Sequence, residues 1–142
     1  MSNELMTIET DYIGELNGNQ QTMFCSVKDE TPASRALVFN AVSNPDSKIS
    51  EMINRQIMLR DVIVETVQVV NPETGEVSTA PRTILIDDEG HSYQAVSTGV
   101  FNSVKRLFNL MGFPTYEEPV PITIIQTETK KGRVFSFRVD LK

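Results

Sequence analysis

From residue 22 onward, the spacing of apolar residues sorts the chain into strands and one strongly patterned helix. Thr22–Val27 and Ala36–Val42 are short apolar stretches separated by a charged, proline-containing loop at Lys28–Arg35, a pattern that predicts a β-hairpin. Asn44-Pro45-Asp46-Ser47 then punctuates the chain. Asp46 or Ser47 is placed to cap a short helix carrying Ile49, Met52 and Ile53. Ile57–Val70 is rich in β-branched residues and, at 14 residues, long for one strand. Its apolar side changes partway: Ile57 and Leu59 share one parity, Val62 and Val64 the other. A phase flip near Arg60-Asp61 is what a β-bulge or sharp coil produces, since one inserted residue sends later side chains to the opposite face.

Pro72-Glu73-Thr74-Gly75 is turn chemistry, and the polar stretch to Pro81 reads as a loop. Arg82–Asp87 reads as a second strand, Asp88-Glu89-Gly90 as a tight reversal, and His91–Val96 as a third strand. Ser97 or Thr98 can cap a helix over 98–111, in which Val100, Val104, Leu107, Phe108 and Met111 recur at spacings of three and four. Phe101 widens that stripe, Gly112 stops it, and Pro114 cannot continue it. Two last strands, Val120–Thr127 and Arg133–Leu141, are joined by Glu128-Thr129-Lys130-Lys131-Gly132. Phe135, Phe137, Val139 and Leu141 share a parity, which assigns both aromatics to the core.

A long bent strand, a hairpin, a helix and a final hairpin follow the element order of the OB-fold, a five-stranded Greek-key barrel with one helix between strands three and four. The expected architecture is therefore mainly β. It is a single domain over 22–142, with the barrel at 57–142 and an N-terminal extension at 22–56 that includes the extra hairpin. Residues 1–21 are polar and end in Asn17-Gly18-Asn19-Gln20-Gln21, which predicts a flexible arm.

Composition narrows the chemistry. The 142 residues include one cysteine, Cys25, and one histidine, His91, so neither a disulfide nor a Cys/His zinc cage can form within the chain. Cys25 sits between Phe24 and Val27 and reads as a small buried hydrophobe. Phosphate loops and nucleophile elbows are missing, and acid pairs such as Asp87-Asp88 and Glu117-Glu118 sit in turns. No catalytic role, metal or cofactor is expected. No stretch approaches the ~18 apolar residues of a membrane span, so the reading is a soluble, cytoplasmic protein. The net charge of −6 is unevenly distributed: −9 over 1–104 and +3 over 105–142. That asymmetry suits a polyanion gripped locally, at the C-terminal third.

Asp88-Glu89-Gly90-His91-Ser92-Tyr93-Gln94-Ala95-Val96-Ser97, followed by a helix with Leu107 and Leu110, resembles the centre of the small single-stranded DNA-binding proteins of protein-primed Bacillus phages. Thr129-Lys130-Lys131-Gly132-Arg133-Val134-Phe135-Ser136-Phe137-Arg138-Val139-Asp140-Leu141 is similar to their end, and the resemblance spans roughly 57–142. It implies a protein without catalytic activity that coats displaced single strands during replication, in a phage or a related mobile element.

Such binding needs a positive groove along the nucleic-acid backbone and aromatic faces on which bases stack. On an OB-fold the groove crosses strands two and three between flanking loops. That places Arg82, His91 and Tyr93 on the sheet and Lys130, Lys131 and Arg133 on the last hairpin, with Arg60 and Arg138 as outward-facing candidates. Tyr93 either stacks on a base or buries its ring and leaves its hydroxyl at the rim. Phe39 and Tyr12 extend the stacking surface only if the N-terminal hairpin folds over the groove. Single-stranded DNA is the expected partner, with replication proteins as further candidates and self-association left open. The competing expectation is a protein-interaction module or an acidic DNA mimic acting on a host DNA-binding enzyme. The −9 balance of 1–104 favours it and the basic hairpin opposes it.

Overall fold

The computed structural model describes residues 23–114, 116–130 and 132–141. The element order is β1 (Met23–Cys25), α1 (Pro32–Ser43), β2 (Ser47–Lys48), a 3-10 turn (Ile49–Met52), β3 (Gln56–Val70), β4 (Val77–Asp87), β5 (Ser92–Val96), α2 (Thr98–Met111), β6 (Val120–Thr129) and β7 (Gly132–Val139). All the described strands join one sheet in the order β2-β5-β4-β3-β6-β7, with β1 on β3. β2 and β5 pair in parallel and the other pairs are antiparallel.

The long strand β3 organises the sheet. Its first residues, Gln56–Leu59, pair with β6, and its remainder pairs with β4 out to Val70 opposite Val77. The register between β3 and β4 slips between Leu59 and Asp61, where the sequence changes phase. The bulge lets one strand serve two differently directed halves, and the sheet curls into a half-barrel consistent with an OB-like fold. Inside the curl, Leu59, Val62, Leu85, Tyr93, Ile122 and Ile124 pack against Val100, Val104 and Leu107 of α2. Ser97 caps α2 through its hydroxyl, which accepts the Val100 N–H at 3.2 Å.

The expected second strand of the N-terminal hairpin, Ala36–Val42, is instead the body of α1. Thr31 accepts the Ser34 N–H at its hydroxyl (3.2 Å) and Pro32 occupies the first turn, so a helix start precedes the apolar run. Leu37, Val38, Ala41 and Val42 recur at helical spacing and pack on Ile63, Ile84 and Ile86 on the outer face of the sheet. No hairpin forms: β1 pairs with β3, Cys25 opposite Ile63. Cover on both faces explains why Thr83–Ile86 are buried without alternation.

Two smaller corrections follow from pairing. The polar run before Pro81 is not a loop but the first half of β4, held by β3. Pro81, opposite Thr66, is tolerated because β5 joins β4 only from Arg82 onward and leaves an edge there. The short helix is a 3-10 turn that begins at Ile49, so Asp46 and Ser47 do not cap it. Asp46 reaches across to β5, where its carboxylate accepts the Ser92 N–H at 2.9 Å. The arm read at 1–21 lies outside the described residues.

Candidate nucleic-acid interface

Strand register decides which candidate side chains share a face. Ile84 pairs with Gln94 and Leu85 with Tyr93, so Arg82 and Gln94 lie on the outer face while Tyr93 points into the curl. Arg82 donates to Glu65 at 2.7 Å and to Gln94 at 3.2 Å, and its side chain is 14% exposed. Its charge is already neutralised by the cross-strand carboxylate. Tyr93 is 8% exposed and belongs to the inner core, which removes its ring as a stacking surface on the sheet. Its hydroxyl donates to Asp87 at 2.9 Å.

Burial, then the hydrogen bond to Asp87, pushes the Tyr93 phenol up to about 12. The folded chain thus holds this proton more tightly than the unfolded chain does. The associated stability is fully present below about pH 10 and is lost as the pH rises through about 12. Tyr93→Phe is expected to cost about 1.5–3 kcal/mol at pH 8, the range for a bond to a charged acceptor. Its deficit against the parent should narrow by pH 11. Urea midpoints at the two pH values check this; a constant deficit would show that the phenol does not titrate differently on folding.

The remaining candidates divide between the two ends of β6. At the Val120 end, next to Leu59 of β3, stand Arg60 and the β4–β5 turn that carries His91. This end is acidic. Arg60 lines a cavity of about 320 Å³ together with Lys28 and the carboxylates Asp29, Asp61, Asp87 and Asp88. His91 is exposed, with Nδ1 4.0 Å from Asp46 and its ring centroid 5.3 Å from that of Tyr93. Asp87 also accepts the backbone N–H groups of Glu89 and His91, both at 2.9 Å, which fixes the turn.

The other end of β6 is the basic hairpin. Lys130 and Arg133 are exposed, and neither makes an ion pair among the described residues, although Arg133 lies opposite Glu128 in register. The turn is set by Gly132, at φ 123°, and by the Thr129 hydroxyl donating to the Gly132 carbonyl at 2.9 Å. Neither Lys130 nor Arg133 is needed to shape it. Lys131 lies outside the described residues. Arg138, farther along β7, is exposed and bonds Asp140 at 2.9 Å. Hydrogen bonds from Thr123, Arg138 and Gln56 hold the Asp140 carboxyl below its ordinary range.

The structure thus brings Lys130 and Arg133 together, sets Arg60 and His91 among carboxylates, and ties up Arg82 and Arg138. The family described as phage single-stranded DNA-binding protein, of the phi29 type, matches residues 17–141. The chain belongs to this family. No curated protein and no solved structure matches it. The match covers β1, α1 and β2 as well as β3 to β7. Family membership makes this a protein of a single-stranded DNA-binding, non-catalytic kind. Among the described residues there is no metal-ligand cluster and no helix long and apolar enough to cross a membrane.

Sequence reasoning missed one pair. Phe101, expected to widen the apolar stripe of α2, carries the Lys105 ammonium over its ring, 5.1 Å from the centroid. The spacing of four between an aromatic and a lysine on a helix was the available signal.

Proposed function

We propose that this protein binds single-stranded DNA without sequence preference and protects strands during replication or transfer of a phage or mobile-element genome. The observation that carries this reading is the family match over 17–141. Lys130 and Arg133 of the β6–β7 hairpin, exposed and in no ion pair among the described residues, support it, because a sequence-blind grip needs charge directed at phosphates rather than groups that read base edges. In this reading residues 57–142 form a five-stranded Greek-key OB barrel, 22–56 an extension covering its outer face, and 1–21 an arm. The site comprises Lys130, Lys131 and Arg133, with Arg60, His91 and Arg138 as peripheral contacts. The protein works in the host cytoplasm, and replication proteins acting on the same strand are its natural partners.

Electrophoretic shifts with labelled homopolymers test the reading. Binding of dT, dA and dC oligonucleotides at low salt, with similar affinity and a steep loss as salt rises, is expected. A chain that ignores single strands at low salt and instead captures a DNA-binding enzyme would establish the interaction-module alternative.

A further inference from the structure

The aromatic residues of the positive hairpin, Phe135 and Phe137, pack against the inner core, and Tyr93 is buried within it. We propose that Phe101 and Lys105 on α2 form the base-stacking subsite, in the cleft between α2 and the distal arm of β3–β4. The proposal rests on the single-strand reading and adds the place where a base is held.

Four observations carry it. The cleft measures about 410 Å³, within the ~300–1,000 Å³ range of ligand-sized sites. Phe101 and Lys105 form one wall with Asn102, while Thr66, Thr79 and Pro81 of the arm form the other. No carboxylate lines it among the described residues, whereas the cavity at the bulge is lined by four. The lining charge therefore favours a polyanion here over the cavity at the bulge, where Lys28 and Arg60 offset only part of the carboxylates. Finally, the cleft adjoins the basic hairpin. Thr98 lines it, and the next residue, Gly99, abuts β7 just after Arg133: a Cβ there would lie 2.8 Å from Val134 Cγ1. A strand held by Lys130 and Arg133 is thus led onto the first turns of α2.

The chemistry suits an unspecific grip. Phe101 is half-buried, which fixes the ring, and its face is covered by the Lys105 ammonium, which makes no ion pair among the described residues. An incoming base takes that face. The freed ammonium, on a flexible stem, moves onto the adjoining phosphate. The hydroxyls of Thr66 and Thr79 and the Asn102 amide offer donors and acceptors to any base edge.

Phe101→Leu keeps an apolar side chain and removes the aromatic face; Lys105→Met keeps the stem and removes the charge. For a dT oligonucleotide, Phe101→Leu is expected to lower affinity about 5- to 150-fold, the equivalent of one lost stack, at an unchanged salt slope. Lys105→Met should reduce the slope of log affinity against log salt by about 0.7. Photocrosslinking of an iodouracil-substituted oligonucleotide to the unsubstituted protein should give an adduct at Phe101, and this decides the matter if Phe101→Leu fails to fold. A folded Phe101→Leu variant with full affinity, or crosslinks confined to other aromatics, overturns the subsite and leaves the single-strand reading standing. Failure of the unsubstituted protein to bind single strands overturns both.

Discussion

Alanine at Lys130, Lys131 and Arg133 together is expected to weaken single-strand binding about a hundred-fold at 0.1 M salt, equally for every homopolymer. Each phosphate contact contributes about 0.7 to the slope of log affinity against log salt for single strands, so three contribute about 2. Over the decade of salt below 1 M, that slope corresponds to about two orders of magnitude in affinity. The effect is uniform because phosphates carry no sequence. The variant should fold normally, since Gly132 and the Thr129 hydroxyl form the turn. Arg82→Ala is the natural contrast: its guanidinium already faces Glu65 at 2.7 Å, so the salt slope should barely move. A folded triple variant with the parent's salt slope would remove the hairpin from the site.

Gly99→Ala is expected to destabilise the fold by about 1–3 kcal/mol, the range for overpacking a filled contact. Helix propensity alone predicts the opposite sign, since alanine is favoured over glycine by up to about 1 kcal/mol in a helix, and by less in the first turn where Gly99 stands. Packing wins here because the added Cβ would overlap the Phe135 carbonyl oxygen and come within 2.8 Å of Val134 Cγ1. Backbone of β7 cannot give way as a side-chain tip does. The sheet's hydrogen-bonded order ends at β2 and β7, and α2 packs against β7, so the strain falls where the helix seals the curl. For a chain of this size the thermal midpoint should fall by about 2–4 °C per kcal/mol. A midpoint equal to or above the parent's would show that α2 does not sit this close to β7.

What the sequence determined by itself was local or periodic. The phase change between Leu59 and Val62 announced the bulge now seen between Leu59 and Asp61, because side-chain parity is a property of the strand alone. Ser97, the apolar stripe from Val100 to Met111 and Gly112 bounded α2, because capping and helical spacing act within a few residues. The exposed Lys130 and Arg133 were legible because a tight hairpin has nowhere to bury them. Tertiary structure decided the rest. Ala36–Val42 carries β-branched and aromatic residues that suit a strand; Thr31 and Pro32 are a local helix start, but the cover that Ile63, Ile84 and Ile86 need is what holds the segment as a helix. The face of Tyr93 depends on its register with Leu85, and the neutralisation of Arg82 on Glu65, 17 residues earlier in the chain. The cleft beside Phe101 exists only because the β3–β4 arm passes over α2, a juxtaposition that no local pattern encodes.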